Sequence, residues 1–282
     1  MSVSLSLIAA AAALAADCGD AQVRLATRAP LQGGVLLVEV LVPSPPPPLA
    51  LSLDGKPLPL WRSVSGSSFR GLAGIDLERP AGPARLVLEG AGASPCEVPL
   101  EVKAGDFVVR RLEVPGRYVE LAPRDRARAE KEARRLDELF STVTPERGWG
   151  DAFRLPLDGS EPSGNFGQRR ILNGVPRSPH SGVDFGARTG TPVRAPAAGR
   201  VVLVGSLFFS GRTVVLDHGL GLYTFYGHLS ATTVREGEGV EAGDVLGRVG
   251  ATGRATGPHL HWSARLGGAR VNPLALVGLV GD

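Results

Sequence analysis

The chain has 282 residues, 43% of them hydrophobic and 21% charged, with 31 basic against 28 acidic side chains and a formal net charge of +3. That balance excludes a chain disordered throughout, and at roughly 100–200 residues per domain the length points to two domains. The 38 glycines and 23 prolines argue against an all-helical protein and for short strands joined by many turns. The lysines are Lys56, Lys103 and Lys131, so the basic excess is arginine. It is spread without the block of like charge that forms a nucleic-acid-binding arm, and no nucleic-acid partner is expected.

Met1 to Ala16 carry no charged side chain and centre on an apolar run, Ile8 to Leu14. The run is too short to span a bilayer, and Ala13-Leu14-Ala15 has the small-x-small pattern of a cleavage site, so residues 1–16 read as a secretory signal peptide despite the missing positive n-region. No other segment reaches the roughly 18 apolar residues of a membrane helix, so the mature chain is expected to lack a transmembrane segment. Asp17 before Cys18 disfavours lipid attachment. Cys18 and Cys96 are the two cysteines, and in an exported protein an even pair suggests one disulfide.

From Asp17 to about residue 118 short β-type runs alternate with turn clusters: Gly34–Val42, a Pro43–Pro48 polyproline stretch, Leu49–Leu53, Ala84–Glu89 and Phe107–Val114. This spacing predicts an Ig-like antiparallel β-sandwich. Nothing in it clusters His, Asp, Glu or Cys for chemistry, so it reads as a binding, shielding or spacing module. Residues 119–148 form a predicted helical linker. Pro123 suits a first turn, Ala, Glu and Arg have high helix propensity, and Leu136, Leu139 and Phe140 supply a short apolar stripe beside a solvated charged face. Glycine-rich β sequence resumes over 149–282 and is expected to fold without residues up to about 120.

All five histidines lie between 180 and 261. His180 and Asp184 stand four apart, and His259 and His261 stand two apart, which in a strand turns both imidazoles to one side. Zinc takes imidazole nitrogen and carboxylate oxygen, and catalytic sites use three protein ligands with the fourth position left open; His180, Asp184 and His261 meet that count. His259 and His228 would then serve the reaction. A His-Glu-x-x-His helix is absent, so no Glu base of that type is on offer.

In this order, His180-x-x-x-Asp184, Gly227-His228-Leu229-Ser230 and Gly257-Pro258-His259-Leu260-His261-Trp262 closely resemble the lysostaphin-like (LytM-type) zinc endopeptidases that cut peptide bridges in bacterial peptidoglycan. The resemblance runs from about Gly164 to Pro273 and includes Asn165-Phe166-Gly167-Gln168-Arg169-Arg170, Gly190-Thr191-Pro192-Val193, Ala195–Gly199 and Gly243–Gly253. It implies one Zn2+ per chain on His180, Asp184 and His261, with His228 and His259 as the catalytic pair and hydrolysis by a metal-bound water. The implied domain is an antiparallel β-sheet of the duplicated hybrid motif type, with the metal in a groove walled by loops. Some members are held inactive by an Asn in the fourth zinc position, a role open here to Asn165 or Asn173. Tyr226 and Arg169 are further candidate groove residues, and His218, in Leu216-Asp217-His218-Gly219, reads as a turn residue.

Three rival readings bear on the same residues. The Val193–Val201 and Glu236–Asp244 hairpins look like a biotinyl or lipoyl carrier, but no lysine follows Lys131. A serine or cysteine hydrolase lacks a Gly-x-Ser-x-Gly elbow, and both cysteines lie outside the histidine region. A non-catalytic relative that binds and activates other cell-wall hydrolases is the serious alternative. The reading adopted is a mainly β, monomeric zinc endopeptidase of the periplasm or cell envelope, acting on peptidoglycan stem or bridge peptides.

Overall fold

The computed structural model describes residues 14–25, 30–64, 66, 68–113, 121–150 and 152–279. The candidate leader lies outside the described residues up to position 13; its final Ala15 and Ala16 open the first strand. The chain folds as two compact units, Met1–Pro30, Leu36–Ala73 and Pro83–Val102 in one, and Leu31–Val35, Gly74–Gly82 and Lys103–Asp282 in the other. No helix among the described residues is long and apolar enough to cross a membrane.

The first unit is built on two sheets. In one, β1 (Ala15–Cys18), β2 (Ala21–Leu25), β3 (Val35–Leu41), β7 (Ser68–Gly74) and β6 (Leu60–Arg62) lie side by side in that order. In the other the order is β5 (Lys56–Leu58), β4 (Ala50–Leu53), β8 (Gly82–Glu89) and β9 (Cys96–Val102). Burial alternates along β2, β8 and β9, so Val23, Leu86, Leu88, Val98 and Leu100 turn inward and their neighbours outward, the pattern of a two-sheet sandwich. The Cys18–Cys96 disulfide ties β1 of one sheet to β9 of the other across 78 positions of sequence. A closure of that length removes enough unfolded-state freedom to stabilise by about 4 kcal/mol in the loop-entropy picture.

The second unit holds α1 (Pro123–Ser141) and two sheets. A three-stranded sheet joins β10 (Val109–Leu112), β11 (Arg169–Leu172) and β12 (Val175–Pro176). The other, antiparallel throughout, contains β13 (Gly182–Gly186), β14 (Pro192–Arg194), β15 (Gly199–Leu207), β16 (Gly211–Gly219), β17 (Leu222–Thr232), β18 (Gly239–Val240), β19 (Val245–Val249), β20 (His259–Leu266) and β21 (Ala269–Val271). Its main path runs β13-β20-β17-β16-β15-β18. One face buries Val183, Phe185, Val214, Leu216, Tyr226, Leu260 and Trp262 in a large core. The alternate residues point the other way, where Leu203, Leu207, Val215, Tyr223 and Phe225 form a second cluster with Phe140 of α1.

Two expectations are corrected here. Of the 107–114 run, Val114 lies outside the described residues, and Val109–Leu112 do not join the sandwich but form β10, which pairs in parallel with β11 of the second unit. All four of its residues are exposed, so it has no apolar side to give to a core. The helix is more than a connector, because Leu136 and Leu139 pack with buried Phe140 on the second cluster. Its polar face is also engaged: Glu132 accepts the Phe208 backbone N–H at 2.6 Å, and Arg128 Nη2 donates to the Ser206 carbonyl at 2.9 Å. Thus the helix engages the chain at the β15–β16 turn through two backbone groups, the Ser206 carbonyl and the Phe208 N–H.

His218 is a fully buried strand residue, where a turn was expected. Its Nδ1 donates to the Ala198 carbonyl at 2.8 Å, and its Nε2 pairs with the Thr224 hydroxyl at 2.7 Å. Burial pushes its pKa down to about 4. A depressed imidazole pKa means that the unfolded chain takes up a proton between roughly pH 6.5 and 4 that the folded one refuses, so its contribution declines as pH falls through that window, by on the order of 3 kcal/mol in all. We therefore expect the stability advantage of the native chain over His218→Gln to be largest at pH 7 and to shrink toward pH 4.5. Thermal unfolding of both proteins across that range checks it; a gap independent of pH would contradict it.

Candidate metal centre

The antiparallel register of the sheet assembles the histidine cluster. Asp184 of β13 sits directly opposite His261 of β20, Gly186 opposite His259, and Gly227 of β17 opposite His261 on the other side. Cross-strand partners share a face, so the β13 carboxylate and both β20 imidazoles project to the same side. His180 reaches them from two residues before β13, held by backbone bonds from Gly167 N to its carbonyl at 2.8 Å and from its own N–H to the Gln168 carbonyl at 3.0 Å.

His228 arrives by a different device. Thr213 of β16 faces two residues of β17, because Arg212 pairs with Leu229 and Val214 with Tyr226. The extra residue is His228, at φ +61°. A bulge of this kind re-aims a side chain, here bringing the His228 ring to 4.5 Å from the His259 ring and 6.1 Å from that of His261. Its N–H donates to the Ser210 carbonyl at 2.6 Å, which fixes the bulge against the β15–β16 turn.

The ring protons can be placed from their partners. His180 Nδ1 lies 3.1 Å from the Asn165 carbonyl, His228 Nδ1 2.8 Å from that of Thr252, and His259 Nδ1 2.9 Å from that of Gly257. A carbonyl only accepts, so each Nδ1 carries the proton and each Nε2 presents a lone pair. Burial holds the His261 pKa down to about 4 against the opposing hydrogen bond with Asp184, so that ring is neutral at neutral pH. Burial is also the largest cause lowering His228, opposed by its bond to Thr252. At Asp184 burial alone would raise the pKa, but the facing His180 and His261 imidazoles outweigh it and hold the carboxyl far below the usual range.

His180 Nε2, His261 Nδ1 and Asp184 Oδ1 form a triangle with sides of 3.0, 3.0 and 3.2 Å. With His180 Nδ1 protonated, at most one proton, on His261 Nδ1, is available to the three acceptors. Donors about 2.0–2.1 Å from a tetrahedral ion stand about 3.3 Å apart, so the set fits a divalent metal in both chemistry and spacing. His259 Nε2 is 3.9 Å from Asp184 Oδ1, outside the triangle but facing it.

A glycine makes room for this packing. A Cβ on Gly182 would lie 2.7 and 2.8 Å from His261 Cε1 and Nε2 and 2.6 Å from the Trp262 carbonyl. Gly182→Ala is therefore expected to displace the His261 ring, lowering metal affinity and costing about 1–3 kcal/mol of stability. Chelator competition and thermal unfolding measure the two effects; native values for both would show that the strand yields freely.

Other candidates lie elsewhere. Tyr226 is in the core, fully buried, with its hydroxyl 2.7 Å from that of Thr224 and its pKa raised chiefly by burial. It pairs with Trp262, one position past His261, so β17 turns it to the opposite face of the sheet. Arg169 is exposed on β11, and Asn173 occupies the β11–β12 turn at φ +50°. Asn165 is at the site, but its side chain is bonded to Asp184. The carbonyls of Thr252, Gly257 and Ser210, which orient the histidines, were not anticipated; a backbone carbonyl leaves no mark in the side-chain sequence.

The sequence model for peptidase family M23 matches residues 178–273. A Pseudomonas aeruginosa protein whose crystal structure bears a peptidase M23 description is 35% identical, with a TM-score of 0.70 over 89% of this chain and 96% of that one. The chain belongs to peptidase family M23. Among curated relatives, the DD-carboxypeptidase/endopeptidase Mpg of Neisseria meningitidis is 47% identical over 97 residues, 34% of this chain and 22% of that protein. The peptidoglycan DD-endopeptidase ShyA of Vibrio cholerae is 40% identical over 123 residues, 43% of this chain and 29% of that protein. The aligned region thus spans less than a third of either curated relative. The metal-capable triangle and both further histidines fall within the M23 match.

Proposed function

We propose that this protein is an exported zinc endopeptidase that hydrolyses peptide cross-links of bacterial peptidoglycan, with His180, Asp184 and His261 as metal ligands and His228 and His259 as the catalytic pair. The observation that carries the reading is the convergence of three metal-type donors, short of protons, beside two imidazoles whose Nδ1 protons are committed to backbone carbonyls. The naming of two relatives as a DD-carboxypeptidase/endopeptidase and a peptidoglycan DD-endopeptidase supports the substrate class. The Cys18–Cys96 bridge supports an oxidising compartment, consistent with the periplasm or cell envelope. We take the working unit to be a monomer with one Zn2+.

His180, Asp184 and His261 would hold the zinc ion, which when bound would supply Lewis-acid polarisation of the scissile carbonyl and lower the pKa of water toward about 7. The rest falls to the side chains. Asp184 and the two ligand imidazoles orient the reacting centre. His228 and His259, each with an Nε2 lone pair, provide a base that removes a proton from the attacking water; the imidazolium so formed, near the Asp184 carboxylate, returns the proton to the leaving amine. Burial around His228 keeps its imidazole neutral and able to accept.

The test is metal content combined with turbidity clearing of purified peptidoglycan, with and without a chelator. One zinc per chain and chelator-sensitive clearing that releases new amino termini are expected. Zinc without clearing would favour a role as activator of other hydrolases, and absence of zinc would overturn the assignment.

A further inference from the structure

We propose that Asn165 is a positioning residue for the metal centre, orienting two of its three ligands at once, and that it is not a fourth ligand that silences the site. The inference rests on the zinc reading above.

Asn165 touches Asp184 at two points. Its Nδ2 donates to Asp184 Oδ2 at 2.8 Å, and its Oδ1 accepts the Asp184 backbone N–H at 3.1 Å. Its main-chain carbonyl meanwhile accepts the His180 Nδ1–H at 3.1 Å. The terminal torsion of an aspartate is broad, so a carboxylate with one oxygen in a metal site needs a partner on the other oxygen to fix its plane. Among the described residues Asn165 supplies the hydrogen bond to Oδ2. The His180 contact sets a tautomer: with the proton on Nδ1, the Nε2 lone pair is the one left for the metal. One residue thus settles the plane of the carboxylate and the protonation of the imidazole.

The backbone around Asn165 is itself held. Ser163 N donates to the Asp184 carbonyl at 2.9 Å, and Pro162 bridges Phe185, so the segment lies against β13 as a short extra strand. Gly164 and Gly167, at φ +61° and +74°, turn the chain on either side. Phe166 packs on the sheet core and stacks edge-on against Phe107 at 6.2 Å. With Oδ1 given to the Asp184 N–H and Nδ2 to Oδ2, the amide is used by the protein, whereas an occluding ligand would need its oxygen turned to the metal.

The test uses the full chain with Asn165→Leu, which keeps volume, and Asn165→Ala. Each apo protein is titrated with zinc against a chromophoric chelator and with cobalt, whose d–d spectrum reports ligand geometry. Far-ultraviolet circular dichroism and apo melting temperature check the fold. The expected result is a loss of roughly 10–100-fold in zinc affinity and an altered cobalt spectrum, with apo melting temperatures within a few degrees of wild type. Unchanged affinity in either folded variant overturns the role, as does a rise in peptidoglycan clearing at saturating zinc, which would mark Asn165 as an occluding ligand. Wild type that takes up neither ion would overturn the zinc reading along with it; tight wild-type binding matched by both variants would overturn only the role of Asn165.

Discussion

His261→Ala is expected to abolish zinc binding and hydrolysis together, whereas His228→Ala is expected to keep the zinc and lose turnover by 100-fold or more. The two residues differ in what they touch. His261 Nδ1 is 3.0 Å from both His180 Nε2 and Asp184 Oδ1, so its removal opens one corner of the donor triangle and leaves two ligands, too few for a stable site. His228 lies beside the triangle with its Nδ1 proton on the Thr252 carbonyl, so its loss removes a proton carrier and leaves the ligands in place. General acid–base groups contribute about 10²–10⁴-fold in rate. Metal analysis and rate measurement on the same preparations separate the cases. Full zinc content in His261→Ala, or near-native turnover in His228→Ala, would break the assignment of roles.

The second large effect concerns where the unit that carries the histidine cluster begins. A chain starting at about residue 119 contains every histidine, yet it is expected to melt at least 10 °C below the full-length protein or to fail to accumulate in soluble form. The reason is that 31–35 and 74–82 belong to the second unit. Gly33 N donates to the Ile75 carbonyl, Asn272 N to the Gly33 carbonyl, and Leu77 N to the Arg270 carbonyl, so these two pieces extend the edge at β21. Ile75 and Leu77 are each 1% exposed, and losing that burial costs about 1.5–3 kcal/mol apiece. Arg270 would also lose Asp76, which takes its Nε at 3.0 Å and its Nη2 at 2.6 Å, and Glu78, which takes its Nη1 at 2.6 Å. For a unit of this size each kcal/mol moves the melting temperature by about 2–4 °C. Calorimetry of the shortened and full-length chains decides it. Equal melting temperatures would show that the C-terminal half is self-sufficient, as composition alone suggested.

Both results bear on how the molecule is divided. Read along the sequence, the chemistry stops at the helix. In three dimensions the shell supporting the chemistry reaches back to residue 31, because β21 and the turn after it are completed by backbone from two earlier excursions of the chain. The helix is drawn in the same way: Glu132 caps the Phe208 N–H in the β15–β16 turn, which also supplies the Ser210 carbonyl to His228. The chain thus links α1 to the bulge that aims a proposed catalytic imidazole.

What the sequence by itself determined is whatever depends on local period and spacing. The i, i+2 period of a strand makes His259 and His261 share a face, the alternating runs mark the strands of the sandwich, and the Ala, Glu and Arg stretch after Pro123 marks the helix. The even cysteine pair pointed to the disulfide for a similar reason, since two thiols allow a single intramolecular pairing. Tertiary structure alone decided the features that depend on register and on backbone atoms. Asp184 faces His261 only through the pairing of β13 with β20, and one step of slippage would turn each side chain of β13 to the opposite face. Tyr226 and His228, two apart, would share a face in a regular strand, and the bulge at Gly227-His228 parts them. The carbonyls that set the imidazole protons belong to residues whose side chains carry no signal. Asn165 was legible as a polar residue near the site, but its bonds to Asp184 and His180 exist only because the chain turns at two glycines and lies alongside β13.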